Sequence, residues 1–451
     1  MRVAHISSYD TAGGAARAAW RLHGGLRQLG VDSSMVSRYQ RSNSESVHRV
    51  EDVRSAWSRG WDFVQLGYVD RNRTQLSDTY FTIAEPGMIL RDLPAIREAD
   101  VLHLHWVQEF QSPASLAALI AMGKPIVWTL HDQRPFTGGC HYSAGCTGFE
   151  SVCHPCPQLL ADPLRLPART LRAQRALLPA DAMTVVTPSR WLAALARRSA
   201  LFREARIEVI PYGLDTGLFA PMEKAEARRQ LGLAEGRFIP LFCADRGSER
   251  RKGAAELLAA LGKLPPPQSD FTLLCFGEPP PAFEQLGARL HNLGYLRESA
   301  ALRLAYCAAD VFVLPSLEDN LPNTALEALA CGTPVLAFDS GGIGDVVRDG
   351  STGWLVPRGE VAALAATLAR IAQEPEVRRS FGENGAVLMA EHYSAQVQAQ
   401  RYLELYSQLS PRPAGGHATP TTDGGMPSLP RALWSAFLCS LRYRLRALGS
   451  R

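Results

Sequence analysis

The sequence predicts an α/β protein of two doubly wound domains that face each other across a cleft. Short apolar runs alternate with helical patterns from the first residue, a pattern typical of parallel sheets covered by helices on both faces. Pro211 and Gly213 then interrupt the alternation, and a second series of the same kind follows. At 451 residues the chain is also long enough for two or three domains of ordinary size.

Ten apolar runs predict the strands of these two Rossmann-like domains. Those of the first domain, residues 1–212, are 3–6, 34–37, 101–104, 125–130, 183–186 and 207–210, with a helix expected from about Ala15 to Leu29. Those of the second domain, residues 213–392, are 238–243, 271–276, 311–314 and 334–338. Ligands of such sheets bind beyond the carboxyl ends of the strands, which places the expected site in the cleft.

Composition and charge exclude several classes of protein. Hydrophobic residues make up 46% and charged residues 20% of the chain, a globular balance. The net charge of +4, from 48 basic and 44 acidic residues, is too small for a dedicated nucleic-acid binder. Without a bilayer-spanning apolar stretch or a signal-peptide layout, the chain is expected to be cytoplasmic.

The last forty residues differ in character from the rest. Residues 411–430, rich in Pro, Gly and Thr, predict a flexible linker. Residues 431–451 predict a basic amphipathic helix, with an apolar stripe that includes Trp434 and Phe437 and with no acidic residue. Such a helix suits either the anionic surface of a membrane or a docking place on the protein itself, so peripheral membrane contact is one of two expectations.

The most informative stretch runs from Pro315 to Val335. It follows the predicted strand 311–314, and Asn323 or Thr324 is expected to cap a helix that runs to about residue 331. The free N–H groups at such a helix start attract phosphate or another anion. Asp319 precedes the helix and Glu327 lies one turn inside it, and carboxylates accept hydrogen bonds from sugar and ribose hydroxyls.

This stretch resembles the donor-site motif of retaining glycosyltransferases of family 4, which have the two-domain GT-B architecture. The motif is Pro-Ser, a carboxylate, seven residues, Glu-Ala and then Cys-Gly-Thr-Pro-Val, and the resemblance extends to Gly341-Gly342 and to residues 349–356. It covers roughly residues 1–409. The chain departs from the motif at Asp319, where Glu is usual.

The resemblance implies a set of donor-binding residues. Glu327 would bind the ribose of a sugar nucleotide, and Asp319 with the amides around Asn320 to Thr324 would hold the transferred sugar and the diphosphate. Lys252 would bind phosphate, together with Arg246 or, in its place, Arg250 or Arg251. The implied donor-binding residues are therefore Gly13, Gly14, Arg246, Lys252, Asn320, Leu321, Asn323, Thr324 and Glu327.

His131 resembles the active-site histidine of the family and, with Asp319, is a predicted catalytic residue. It would position the donor sugar and stabilise developing charge, whereas His103 and His105 are expected to be buried structural histidines. The family is described as transferring a glycosyl group with retention, the leaving phosphate helping to deprotonate the acceptor. The sequence has no Asp-x-Asp metal signature, so no cofactor is expected for catalysis. A helix over 393–410 would cross back to the first domain.

A cysteine-rich insertion, residues 138–158, contains Cys140, Cys146, Cys153 and Cys156. Four thiols that end in a Cys-x2-Cys pair predict a structural zinc site, while a metal-free loop with free thiols is the alternative. The insertion resembles that of bacterial transferases that build surface polysaccharides, including the colanic-acid type.

The leading hypothesis is a glycosyltransferase that moves a sugar from a nucleotide-sugar donor to a saccharide or lipid-linked acceptor, in polysaccharide or glycolipid assembly. A sugar-nucleotide epimerase of the same architecture is an alternative within enzymes. A non-catalytic sugar-nucleotide-binding scaffold at the membrane is the third hypothesis.

Overall fold

Two fully parallel sheets organise the chain. The computed structural model describes residues 1–52, 56–77, 79–83, 87–244, 249–267 and 270–411. The strands of the first sheet are β1 (Arg2–Tyr9), β2 (Asp32–Tyr39), β3 (Val47–Arg49), β4 (Val101–Leu104), β5 (Ile126–Thr129), β6 (Thr184–Thr187) and β7 (Arg206–Val209). Their order is β3-β2-β1-β4-β5-β6-β7, and every neighbouring pair is parallel.

The second sheet repeats this topology. Its strands are β8 (Pro240–Ala244), β9 (Leu273–Gly277), β10 (Leu290–Asn292), β11 (Val311–Leu314), β12 (Val335–Asp339) and β13 (Gly353–Pro357). Their order, β10-β9-β8-β11-β12-β13, reverses between β8 and β11, as the order of the first sheet reverses between β1 and β4. A crevice opens at each reversal, beyond the carboxyl ends of the strands.

Helices cover both faces of the two sheets. Those of the first half are α1 (Gly14–Gln28), α2 (Ala56–Asn72), α3 (Pro94–Glu98), α4 (Pro113–Ile120), α5 (Leu166–Leu177) and α6 (Arg190–Arg198). Those of the second half are α7 (Lys224–Gln230), α8 (Ala254–Leu261), α9 (Ser299–Ala308), α10 (Asn323–Ala330), α11 (Val361–Gln373), α12 (Pro375–His392) and α13 (Ala395–Ser407).

Successive residues of the central strands enter different cores because side chains alternate between the faces of a sheet. In β4, Leu102 packs into one core and Val101 into another, and in β12 Val335 and Leu336 divide in the same way. All four residues of β4, β5 and β11 are buried. Burial on both faces explains why these strands read as continuous apolar runs in the sequence.

The chain crosses from one domain to the other twice, and the two crossing segments lie side by side. Leu214 and Ser394 form an isolated parallel bridge, in which Leu214 N donates to Tyr393 O at 2.9 Å and Ala395 N donates to Leu214 O at 2.8 Å. Helix α13 then packs against α1 of the first domain. Its Tyr402 is fully buried, and its hydroxyl lies 2.7 Å from Thr129 Oγ1.

The structure agrees with the predicted α/β fold of two doubly wound domains, and each predicted strand overlaps an observed one. Three observed strands, β3, β10 and β13, have no counterpart in the sequence prediction. Among the described residues, no helix is long and apolar enough to span a bilayer. The predicted basic helix 431–451 and all of the predicted linker beyond residue 411 lie outside the described residues.

Candidate active site

A cleft of about 390 Å³ lies between the carboxyl ends of the two sheets. The loops after β1, β4 and β5 line one wall, and the loops after β8 and β11 line the other. The cleft thus joins both crevices, the expected location for a ligand of two facing α/β domains.

Glu327 lies in the second turn of α10 and is 2% exposed. Its Oε1 accepts a hydrogen bond of 2.6 Å from Arg21 Nη2, and its Oε2 accepts one of 3.1 Å from the hydroxyl of Tyr306. Arg21 belongs to α1 of the first domain, so this ion pair joins the two walls of the cleft. Because each carboxylate oxygen can accept about two hydrogen bonds, both oxygens keep acceptor capacity for a ligand.

Asp319 precedes α10 and is surrounded by donors. Lys252 Nζ lies 2.7 Å from its Oδ2, and Arg251 Nη1 lies 3.4 Å from the same atom. Burial alone would raise the pKa of Asp319, but the charges of Lys252 and Arg251 outweigh it and lower the pKa to about 2. The carboxylate is therefore ionised at neutral pH.

Two glycines fix the loops that carry these groups. Gly341 has φ +61°, and a Cβ there would lie 1.8 Å from Asp319 O. Gly253 has φ +70°, and a Cβ there would lie 1.7 Å from Pro315 O. Only glycine can combine these left-handed conformations with such close approaches.

The predicted helix cap differs in the structure. Pro322 occupies the N-cap position of α10, and no side chain caps the helix. The expectation that Asn323 or Thr324 caps it is wrong, because both residues already lie within the first helical turn. Asn323 instead spans the cleft, its Nδ2 donating to Gly14 O at 3.0 Å.

Asn320 is also a bridge between the domains. Its Nδ2 donates to His131 O at 3.0 Å, and its Oδ1 accepts from Ser189 Oγ at 2.6 Å. Leu321, 3% exposed, packs in the core of the second domain, and both Leu321 and Thr324 line the cleft. The predicted donor residues of the second domain that the structure describes therefore meet in one place.

The predicted phosphate-binding residues are placed as follows. Lys252 ends a short 3-10 turn, Arg250–Lys252, just before α8, and lines the cleft. Arg246 lies outside the described residues. Arg251, one of the two alternatives to it, reaches the Asp319 carboxylate. On the opposite wall, Gly13 and Gly14 line the cleft at the start of α1.

His131 follows β5 and belongs to a buried hydrogen-bonded chain. Its Nδ1 lies 2.8 Å from the hydroxyl of Tyr212, and its Nε2 lies 3.1 Å from His105 Nδ1. His105 Nε2 in turn lies 2.9 Å from His5 Nδ1. Burial lowers the pKa of His131 to about 4, so the ring is neutral at physiological pH.

The structure adds a contact that the sequence prediction missed. Glu318 is buried, and its carboxylate accepts from Gln133 Nε2 at 2.8 Å and from Ala144 N at 3.1 Å. Next to it, the hydroxyl of Tyr142 lies 3.4 Å from Asp319 Oδ1. The cysteine-rich insertion therefore touches the acidic side of the cleft. In the sequence, the one indication that Glu318 lies at the site is its position next to Asp319.

The four cysteines of the insertion line one small cavity of about 20 Å³. In the described part of the chain, one group of three potential metal ligands has its ligand atoms within 4.8 Å of one another. It consists of His5, His103 and His105 and includes none of these cysteines. All three of these histidines are fully buried or nearly so, and for His103 and His105 this confirms the expected burial.

Two family descriptions match this chain in succession. "Glycosyltransferase Family 4" matches residues 12–218, and "Glycosyl transferases group 1" matches residues 238–374. The D-inositol 3-phosphate glycosyltransferase of Kribbella flavida is 32% identical over 332 residues, which are 69% of this chain and 72% of that protein. The chain belongs to the family 4 glycosyltransferases.

This family 4 member spans only about half the length of most of the curated relatives that it matches. Solved structures with the same fold cover more of it. Sucrose-phosphate synthase from Thermosynechococcus elongatus has a TM-score of 0.64 at 23% identity and covers 90% of this chain and 98% of its own. HepE of Anabaena, in complex with UDP and glucose, has a TM-score of 0.61 at 18% identity over 91% of this chain and 100% of its own. The family descriptions and the Kribbella flavida relative, which carry more than the fold, favour the glycosyltransferase hypothesis over the epimerase and the scaffold.

Proposed function

We propose that this chain is a retaining hexosyltransferase-type glycosyltransferase. It moves a sugar from a nucleotide-sugar donor to a hydroxyl of a saccharide or lipid-linked saccharide acceptor, and it needs no cofactor for catalysis. The observation that carries the proposal is the cleft around Asp319. The ionised carboxylate of Asp319 lies there beside the cations of Lys252 and Arg251. The buried carboxylate of Glu327 lines the same cleft, as do the glycines at the start of α1.

The donor would bind with its ribose at Glu327. The ribose hydroxyls donate to the acceptor positions that Arg21 and Tyr306 leave open on the two carboxylate oxygens. The diphosphate would lie at the start of α10, where free backbone N–H groups and the helix dipole favour negative charge. Lys252 and Arg251, which lie at the Asp319 carboxylate, would neutralise the charge that builds up on the departing phosphate.

The transfer itself needs one bond to break and one to form. The bond between the anomeric carbon and the phosphate oxygen breaks, and the acceptor oxygen bonds to that carbon from the same face. The hydroxyl proton passes to the leaving phosphate. His131 is neutral at physiological pH, so it would position the sugar by hydrogen bonding and would not supply a full positive charge.

The acceptor would enter from the first domain, whose side of the cleft carries aromatic rings. Tyr9, Tyr80 and Trp106 line it, with ring centroids of Trp106 6.2 Å from those of both tyrosines. We place the reaction in polysaccharide or glycolipid assembly, of the surface-polysaccharide, colanic-acid type that the insertion resembles. Contact of residues 431–451 with a membrane surface stays a prediction from the sequence.

Thermal shift against UDP-, GDP-, ADP- and CMP-sugars, with and without EDTA, tests donor binding. We expect one nucleotide to raise the melting temperature equally under both conditions. Incubation with a panel of saccharide and lipid-linked acceptors, followed by NMR of the product's anomeric proton, then tests transfer and retention. Conversion of the donor without any acceptor would favour the epimerase. Binding without transfer would favour the scaffold, and no binding at all would overturn the proposal.

A further inference from the structure

The cysteine-rich insertion is a long segment with little regular structure of its own. Between β5 and α5 the structure has only two 3-10 turns, Arg134–Phe136 and Gly148–Glu150, and the second alone belongs to the insertion. Yet the segment lies between the two domains and contacts both. The backbone hydrogen bonds that order it belong to turns and isolated contacts, such as the bond from Cys153 N to Gly148 O at 2.8 Å. A metal ion bound by side chains would be a further source of order.

The four thiols supply a place for one. Cys140, Cys146, Cys153 and Cys156 all line the same cavity of about 20 Å³. That volume is more than one water-sized probe requires, and the cysteines that line it come from three separate parts of the loop. No other described cavity has this composition, since the cleft contains only Cys243 among its lining residues.

Backbone N–H groups point at two of the sulfurs. Gly138 N donates to Cys153 Sγ at 3.3 Å, and Gly148 N donates to Cys146 Sγ at 3.3 Å. Hydrogen bonds to the ligand atoms orient thiolates and stabilise their negative charge around a metal ion. A neutral thiol gains little from them because its sulfur is a weak acceptor.

A divalent cation bound among the four cysteines would replace the protons of their thiols and cancel the repulsion between buried thiolates.

The histidine group is a poorer metal site, although its atoms lie closer together. His103 already uses both ring nitrogens, Nδ1 with Tyr406 at 2.6 Å and Nε2 with Thr129 at 2.7 Å. His105 uses both of its nitrogens with His5 and His131. A metal ion there would have to break these buried hydrogen bonds.

Two cysteines of the insertion, Cys140 and Cys146, flank the residues that touch the second domain. Tyr142 and Ala144, which lie between Cys140 and Cys146, contact Asp319 and Glu318 at 3.4 and 3.1 Å. The guanidinium of Arg251 lies 4.3 Å from the centre of the Tyr142 ring. Anything that fixes the two cysteines therefore fixes the contact with the acidic residues.

We propose that the four cysteines of the insertion bind one zinc ion, and that the ion holds Tyr142 against Asp319 and Arg251. Four thiolates at about 2.3 Å form the tetrahedral shell that zinc prefers. Coordination would draw the sulfurs inward from their present spacing, and the thiol protons would pass to solvent. The consequence for donor affinity rests on the function proposed above, whereas the zinc site does not.

Metal analysis of the purified full-length chain tests the site. We expect about one zinc per chain, lost in the double variant Cys153→Ser/Cys156→Ser and kept in Cys307→Ser, which changes a buried cysteine outside the insertion. Circular dichroism of all three verifies folding. Zinc-free wild type from zinc-supplemented cells would overturn the proposal. So would a thiol titration of the denatured chain that finds fewer than its nine cysteines free, because that result indicates a disulfide.

Nucleotide binding tests the coupling. We expect chelator-stripped wild type and zinc-loaded Tyr142→Ala to bind the nucleotide chosen by thermal shift about tenfold more weakly than zinc-loaded wild type. Re-addition of zinc should restore the stripped wild type only. Equal affinity with and without zinc would overturn the coupling. If zinc-loaded wild type binds no nucleotide, the proposed function fails while the metal analysis still decides the zinc site.

Discussion

Arg21 and Glu327 lie on opposite domains and form an ion pair of 2.6 Å, with side-chain exposures of 14% and 2%. Arg21 Nη1 also lies 3.4 Å from Asn323 Oδ1, so one arginine of the first domain contacts two residues of α10. The pair links the position of the proposed ribose carboxylate to the closure of the cleft.

Removal of this arginine should weaken donor binding. Arg21→Ala leaves the Glu327 charge buried with only the Tyr306 hydroxyl, and breaking a buried pair on one side typically costs about 3–5 kcal/mol. We expect a lower melting temperature and at least a tenfold weaker nucleotide affinity by calorimetry, with Arg21→Lys intermediate. A tighter affinity in Arg21→Ala would mean that the arginine competes with the donor.

Glu327→Gln should lose affinity for a nucleotide that carries ribose while the chain stays folded. Hydrogen bonds to a charged group contribute about 1.5–3 kcal/mol each, so the loss should be about tenfold or more. The matched control is the 2′,3′-dideoxy nucleotide, which lacks the ribose hydroxyls. Wild type and variant should bind it equally. If the variant loses as much affinity for this control, Glu327 does not act on the ribose.

Asp319 should stabilise the folded chain at neutral pH and lose this effect in strong acid. Its pKa is about 2 in the folded chain against an ordinary 3.8, so its stabilisation is complete above pH 4 and declines as the pH falls toward 2. The shift corresponds to about 2 kcal/mol. The free energies of unfolding of wild type and Asp319→Asn, measured with denaturant, should differ by about this amount at pH 7, and the difference should shrink as the pH falls from 4 toward 2. A constant difference across this range would contradict the assignment.

His131 should make the fold sensitive to mild acid. Its pKa falls from 6.5 to about 4 on folding, so the native state resists a proton that the unfolded chain accepts. Stability attributable to His131 is complete above pH 6.5 and is lost progressively as the pH falls toward 4. The free energy of unfolding should fall less steeply between pH 7 and pH 5 in His131→Asn than in wild type. Equal slopes would show that folding does not lower the pKa of His131.

Gly341→Ala should disrupt the site far more than Gly350→Ala. Both glycines have a positive φ, +61° and +70°, but only at Gly341 would the added Cβ collide with Asp319 O, whereas nothing lies within 4 Å of it at Gly350. The backbone cost of about 1 kcal/mol is shared, and the collision is not. We expect Gly341→Ala alone to abolish nucleotide binding. Similar losses in both variants would refute a special role for this close approach.

The sequence predicted the strands that are buried on both faces, because their apolar runs are continuous. It missed β3 and β10, since Val47–Arg49 and Leu290–Asn292 are three residues long and partly exposed at sheet edges. β13 begins with Gly353 and ends with Pro357, residues that normally argue against a strand.

In the same way, a linear motif predicted the positions of Asp319 and Glu327 but not their partners across the cleft. Arg21 and Tyr142 are isolated residues in chain segments far from the motif, and no spacing in the sequence links them to it. Only the folded arrangement brings these side chains together.

The return of α13 also determines how the molecule can be dissected. Tyr406 of this helix is 1% exposed, and its hydroxyl meets the ring of His103 inside the first sheet's own core. A fragment that stops at residue 212 would leave that histidine, and the part of the sheet face that α13 covers beside α1, open to water. The first half of the gene is thus not an independent module, and a separately expressed version must carry residues 393–410 along with it.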